Sequence, residues 1–240
     1  MKQKGAIYYQ LAAMKRPMGT FYLILVLLFC VMVIANAIFG SIGYGGVEVA
    51  SMICIFVVGC CSFKEDFLFL IQSGVGRKTI LTSQCLSYSL LCVGMAAADT
   101  ILACGMTLIS NALHFEGYHP LLVNSYLWED GILGHIPVNF LLLMAAYLML
   151  YSFGYLLAAM SYRGGKRVTI CLSVGLPVTL FVLLPACIEL GSGMGMLQWV
   201  LNVLLWLSVS YGRTIGALLI IAAVCFAIGG RLQLKAQVKA

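Results

Sequence analysis

The chain has 240 residues, of which 62% are hydrophobic and only 9% are charged, whereas about a quarter of the residues of a soluble domain are charged. This composition excludes an ordinary soluble fold, because a core of this size cannot hide so much apolar surface and the excess must face lipid. The net charge of +6 comes without the clustered basic face that nucleic-acid binding needs. We therefore expect an integral membrane protein with no nucleic-acid partner.

The first 17 residues are predicted to form an amphipathic helix along the membrane surface. Ile7, Leu11 and Met14 recur at helical spacing, and the basic residues around them are suited to anionic lipid headgroups. No small-residue cleavage site follows, so the segment does not resemble a cleavable signal peptide. The alternative is a charged tail that only sets the topology.

Six apolar runs follow, and a helical span takes roughly 20 residues. They extend over Met18 to Gly40, Gly46 to Phe63, Thr82 to Ser110, Ile132 to Tyr162, Val168 to Ile188 and Thr214 to Gly230. The sequence thus predicts an all-α protein with six transmembrane helices in one domain, 1–240. A shorter run, Leu197 to Tyr211, is predicted to be a re-entrant or interfacial helix within an outer hairpin, 189–213, before the sixth span.

The basic residues predict the orientation of these spans, because Lys and Arg next to span ends favour the cytoplasmic side. If the N-terminus is cytoplasmic, 13 of the 14 basic residues fall on that side and only Arg213 lies outside. A full span at 197–211 would move the basic C-terminus outside and break this asymmetry. We expect a multi-pass protein with both termini in the cytoplasm.

The sequence predicts no catalytic, cofactor-binding or metal-ligating residue. All ten cysteines lie in or beside apolar runs and form no C-x-x-C pair, so we interpret them as small packing residues. The outer loop, 111–131, carries two histidines and three acids without metal-ligand spacing, which favours a solvated loop.

Asp99 is the candidate intramembrane polar site. It lies near the middle of the third run, where an unpaired carboxylate costs at least a few kcal/mol. We expect it to face a cavity, to have a polar partner or to be protonated, either lining a substrate path or forming a hydrogen bond between the helices of two copies. Alternatively, a tilted span places it among the outer headgroups. Because Asp99 stands alone, an intramembrane hydrolase, which needs paired catalytic groups, is disfavoured.

The segment 62–81, between the second and third spans, is the most informative part of the chain. Ser62 and Glu65 fit a capping box at a helix start, and the apolar residues of 63–71 recur at helical spacing. Gly74 suits the left-handed position that ends a helix, and two cations follow it. This pattern predicts a short amphipathic helix, a glycine break and a basic turn, a lever that another protein could push. The alternative is a loop that only holds orientation.

The string FLFLIQSGVGRKTI, Phe67 to Ile80, resembles the signature F-x-x-x-x-x-x-G-[VI]-[ST]-R-[KR] in the first cytoplasmic loop of type-2 ABC transporter permeases, particularly small bacterial ones. Gly74, Arg77 and Lys78 match the glycine and the basic pair of that signature, while Gly76 stands where Ser or Thr is usual. The overall plan is similar as well: an amphipathic N-terminal helix, six spans, termini inside and an outer hydrophobic hairpin before the last span.

The resemblance implies that the chain is the permease subunit of an exporter in a bacterial cytoplasmic membrane and is not itself an enzyme. Its cytoplasmic loop would be a coupling helix in a groove of a separate ABC ATPase subunit, which alone binds ATP and Mg. Two permease chains, either two copies or this chain with a related one, would work with two ATPase chains. The candidate ATPase-coupling residues are Lys64, Glu65, Asp66, Phe67, Leu70, Gly74, Gly76, Arg77, Lys78 and Thr79.

Two other functions remain open at this point. A substrate-binding membrane subunit of an uptake system also has about six spans and a separate ATPase, but it is expected to close a ligand pocket with its outer loops. A membrane scaffold without transport activity is the second alternative.

Overall fold

The computed structural model describes residues 2–39, 44–45, 47–112, 118–119, 134–178 and 210–235. Nearly all of these residues are helical, and two strands of two residues each pair in parallel. The elements are α1 (Lys2–Phe39), β1 (Tyr44–Gly45), α2 (Val47–Gln72), α3 (Arg77–Ala112), β2 (Tyr118–His119), α4 (Ile136–Val178) and α5 (Tyr211–Leu234).

Four described stretches are long and apolar enough to cross a membrane. They are Gln3–Ala35, Arg77–Ala112, Ile136–Gly165 and Tyr211–Leu234. The prediction of a helical, multi-pass membrane protein is therefore confirmed at this level, whereas the count of six spans stays a prediction. The second half of the fifth apolar run and most of the outer loop 111–131 and of the outer hairpin 189–213 lie outside the described residues.

The predicted boundary between a surface helix and the first span is wrong. Helix α1 continues without a break from Lys2 through Pro17 to Phe39. Proline removes only one backbone donor, and in apolar surroundings a helix that keeps its remaining hydrogen bonds is favoured over an open segment. Met14 and Met18 pack on the same core on either side of Pro17, which holds the two halves in one helix.

The predicted helix start at Ser62 is also wrong. Helix α2 runs from Val47 to Gln72, so Ser62 lies inside it and is buried rather than capping a free end. A capping box stabilises a helix start only where backbone N–H groups lack partners. Phe63 and Phe67 are fully buried against the core, and this continuous packing carries the helix through the Ser62 position.

Helix α4 lies at the centre of the described bundle, packed against α2, α3 and α5, while α1 packs mainly on α3. Three of its tyrosines, Tyr147, Tyr151 and Tyr155, are buried and recur every four residues, so they lie on one helix face. We call this face the tyrosine column. The helical backbone of α4 breaks at Gly165 (φ 74°, ψ −168°), between the predicted fourth and fifth spans.

Helices α2 and α4 cross at a pair of glycines. A Cβ atom added at Gly154 would lie 2.6 Å from the carbonyl oxygen of Phe56, and one added at Gly59 would lie 2.6 Å from that of Tyr151. Small residues allow such backbone approach between membrane helices. This crossing fixes the position of the tyrosine column against α2.

Candidate functional site

The turn between α2 and α3, residues 73–76, is well defined. Gly74 has a φ of 70°, and its N–H donates to the carbonyl of Ile71 (2.9 Å) while that of Val75 donates to Leu70 (3.0 Å). These two bonds form a Schellman motif, in which glycine takes the left-handed position after the helix. The prediction that Gly74 ends the helix is confirmed.

Gly76 starts the next helix. Its carbonyl accepts the backbone N–H of Ile80 (3.0 Å), the bond expected from an N-cap residue. Glycine is tolerated at this position, although Ser or Thr also supplies a side-chain oxygen to the free N–H groups.

Gly74→Ala is expected to destabilise the protein by about 1 kcal/mol, because a Cβ atom is strained in the left-handed region. The measurement is the midpoint of thermal unfolding in detergent, followed by helical circular dichroism. Gly76→Ser is the matched control, since a Cβ there meets only the Thr79 hydroxyl at 3.9 Å and serine caps helices well. A larger destabilisation by Gly76→Ser than by Gly74→Ala would contradict this interpretation of the turn.

The ten predicted coupling residues divide into a buried and an exposed group. Asp66, Phe67 and Leu70 are buried on α2, so they pack inside the protein near the turn and are not accessible to a partner. The side chains of Lys64 and Glu65 lie outside the described set, and Thr79 is half-buried. The exposed members are Gly74, Gly76, Arg77 and Lys78.

The N-terminal part of α1 packs against this turn. The rings of Tyr9 and Phe69 stack with their centroids 4.3 Å apart, and Ala6 is buried together with Leu70 and Ile80. The first residues of the chain therefore pack against the helices on both sides of the turn.

The end of helix α5 is hydrogen-bonded to the residue that follows the turn. The Arg77 guanidinium donates from Nη1 to the backbone carbonyl of Leu234 (2.9 Å), at the helix end where unsatisfied carbonyls and the helix dipole favour a cation. Arg77 is exposed, so the electrostatic part of this contact is weak. Its geometric effect is to connect the start of α3 to the end of α5.

Buried hydrogen bonds among one tyrosine and two glutamines also connect α3 to α5; we call these three residues the amide chain. The Tyr155 hydroxyl donates to Gln233 Oε1, and Gln233 Nε2 donates to Gln84 Oε1 (3.0 Å). All three side chains are fully buried, so α3, α4 and α5 are joined by hydrogen bonds that exclude water. Buried amides of this kind hold helices in one relative position.

Asp66 is held by a tyrosine from the next helix. The Tyr88 hydroxyl donates to Asp66 Oδ2 (2.6 Å), and the Tyr88 ring stacks on Tyr151 with a centroid distance of 4.5 Å. This acid, predicted to contact a partner, instead joins α2 to α3 beside the tyrosine column.

Asp99 lies inside the bundle with an exposed fraction of 3%. The Tyr147 hydroxyl donates to its Oδ2, so the predicted polar partner is on α4 of the same chain. Protein surrounds this carboxyl and supplies it with a polar partner, whereas its depth in the membrane stays a prediction. Nearby on α3 and α4, Asn139 donates to the Thr100 hydroxyl (3.4 Å).

The partners of both acids were missed at the level of sequence. A signal was present for Tyr147, the partner of Asp99, but not for Tyr88 on α3, the partner of Asp66. Tyr147, Tyr151 and Tyr155 are spaced by four residues in a run with no charged side chain, and phenol groups on one face of an apolar helix require polar partners when buried. That spacing identifies the face of α4 but not which acids lie opposite it.

Within the described ranges, no three His, Cys, Asp or Glu side chains gather in a way that could hold a metal ion. No family model, curated protein or solved structure matches the chain. The exposed basic turn and the buried Asp99 carboxyl are therefore the two features on which a functional interpretation depends.

Proposed function

We propose that the chain is the membrane-spanning permease subunit of an ATP-driven exporter, and that the turn at residues 73–76 faces the cytoplasm and docks on a separate ABC ATPase. The observation that carries this proposal is that the signature residues Gly74, Arg77 and Lys78 are exposed on a turn that contacts four helices. The ATPase supplies ATP and Mg binding, and this chain supplies the path through a bacterial cytoplasmic membrane.

Rigidity of the turn supports a mechanical role. The turn is fixed by Gly74, packed against α1 through Tyr9 and Phe69, and joined to α5 through Arg77. A displacement imposed on it by a partner would move the ends of four helices together, because these contacts join α1 and α5 to the turn between α2 and α3. That movement is the tilt by which ATP-driven closure of the partner would alternate access to the transport path.

The working unit in this proposal contains two permease chains, either two copies or one copy with a related chain. Several apolar side chains on α1 and α5 are exposed, including Leu23, Leu27, Ile220 and Val224. Such faces require lipid or another membrane helix around them, which is compatible with a dimer embedded in the bilayer.

Lys78→Glu tests the proposal most directly. Lys78 is exposed at the turn, so reversing its charge should leave folding intact. The new negative charge should oppose docking on an acidic or polar groove of the ATPase. We expect ATP hydrolysis by the complex, purified through a tag on this chain, to fall at least tenfold, with unchanged yield in the membrane. Arg77→Glu should behave similarly but also lose the contact to Leu234, so its unfolding midpoint should fall slightly.

Lys15→Glu is the matched control, because Lys15 is equally exposed but lies on α1 at a distance in sequence from the turn. It should keep the full rate of hydrolysis. If the Lys78 variant hydrolyses ATP and exports as fast as the Lys15 variant, the turn is not the coupling element. If no ATP hydrolysis accompanies the purified wild-type chain, the exporter proposal itself fails.

A further inference from the structure

The Asp99 carboxyl lies where four helices meet. Tyr147 donates to Oδ2 from α4, and the hydroxyls of Tyr22 on α1 and Ser51 on α2 face the same carboxyl. The Tyr22 hydroxyl also lies 3.3 Å from the Met95 carbonyl, to which it donates. The result is a small polar site surrounded by apolar side chains.

Asp99 Oδ1 and Ser51 Oγ are two buried polar atoms of this site for which no other partner lies among the described residues. Buried polar atoms are almost always paired in proteins, and the Ser51 hydroxyl faces this carboxyl. Because a serine hydroxyl can donate or accept, it can pair with Oδ1 in either charge state: it donates to a carboxylate, or it accepts from a carboxylic acid.

Among the residues that the structure describes, no cation faces this carboxyl. The titratable groups that face it are Tyr22 from α1, Cys54 from α2 and Tyr147 from α4, all of which are neutral near pH 7 in their ordinary state. A carboxylate without a cation is strongly unfavourable inside a membrane protein, which is why such groups mark ion or proton sites.

We propose that the Asp99 carboxyl is a proton-binding site of this protein. Its carboxylate takes one H⁺ from water and becomes a neutral carboxylic acid, whose O–H on Oδ1 donates to Ser51 Oγ while Oδ2 still accepts from Tyr147. The proton removes the buried charge, which a hydrogen bond from the Ser51 hydroxyl to a carboxylate would leave in place. This proposal does not depend on the exporter function.

Protonation is thereby linked to the arrangement of the helices. The site is complete only while α1, α2, α3 and α4 are packed together, because each contributes one of its side chains. Separation of α1 or α4 would admit water and stabilise the carboxylate, so the proton would leave as H⁺ to that water. Any transport movement that opens this part of the bundle would therefore release a proton and recover it on closing.

Infrared spectroscopy of the full chain in lipid nanodiscs at pH 7 tests the proposal. We expect a protonated-carboxyl C=O band that shifts in D₂O, and Asp99→Asn should abolish it. Asp66→Asn is the matched control, because Asp66 is also buried and also accepts from a tyrosine, so it can carry a C=O band of its own. The band that Asp99→Asn abolishes must remain in the Asp66 variant. Tyr147→Phe and Ser51→Ala should each shift the band by removing one hydrogen bond, which assigns it even if the Asp99 variant does not fold.

Two results would overturn the proposal. The first is a wild-type spectrum in which Asp99→Asn removes a carboxylate band instead of a C=O band, since the group would then be ionised. The second is a C=O band that disappears when NaCl or KCl is raised at constant pH, which would show that the site holds an inorganic cation. A band that depends on pH and not on either salt supports the proton site.

Discussion

Gly154→Val is expected to prevent α2 and α4 from packing, with a loss of about 3 kcal/mol or more of folding free energy. The added Cβ would lie 2.6 Å from the Phe56 carbonyl oxygen and 3.1 Å from the Cys60 backbone nitrogen. Neither atom can rotate away as the end of a flexible side chain can, so one helix must shift. Because α4 packs against three other helices, that shift would spread through the bundle.

The matched control is Gly94→Val, since a Cβ atom at Gly94 meets nothing within 4 Å and the change in helix propensity is the same in both variants. The amount of detergent-soluble, monodisperse protein and its unfolding midpoint give the comparison. We expect Gly94→Val to resemble the wild type closely. Equal losses from both variants would show that the close approach of α2 and α4 is not responsible.

The sequence was sufficient for the broad class of fold, because long apolar runs must form helices in lipid. It also located the helix end at Gly74, where a left-handed residue is required and glycine is the residue that accepts it most easily. It failed where tertiary packing overrides a local signal. Pro17 and Ser62 are each plausible helix boundaries by sequence alone, yet packing on both sides continues the helix through them.

The candidate turn was located correctly as a segment, but the accessible side chains within it could not be identified from sequence. Phe67 is buried while Phe69 is 45% exposed, although both are phenylalanines on the same apolar helix. A helix that is apolar on most faces carries little information about its orientation. The same reason explains why the acids could not be paired with their tyrosines: facing helices are set by tertiary structure.

The folding free energy should also fall when one member of the amide chain is replaced. Gln233→Leu removes the acceptor for the Tyr155 hydroxyl and the donor to Gln84 Oε1, and it leaves two fully buried polar groups unpaired. Each unpaired group costs about 1–3 kcal/mol, so we expect a total of about 2–6 kcal/mol. For a chain of this size, each 1 kcal/mol lowers the unfolding midpoint by about 2–4 °C, so the midpoint should fall by about 4–24 °C.

Replacing all three members separates this effect from a loss of volume. The variant with Tyr155→Phe, Gln84→Leu and Gln233→Leu keeps the shape of the site while leaving none of these polar groups unpaired, so it should recover most of the lost stability. The three single variants and the combined one form a cycle that measures the coupling directly. If the combined variant loses the sum of the single losses, the three side chains act independently, and α5 is held to the turn by its apolar contacts and Arg77 alone.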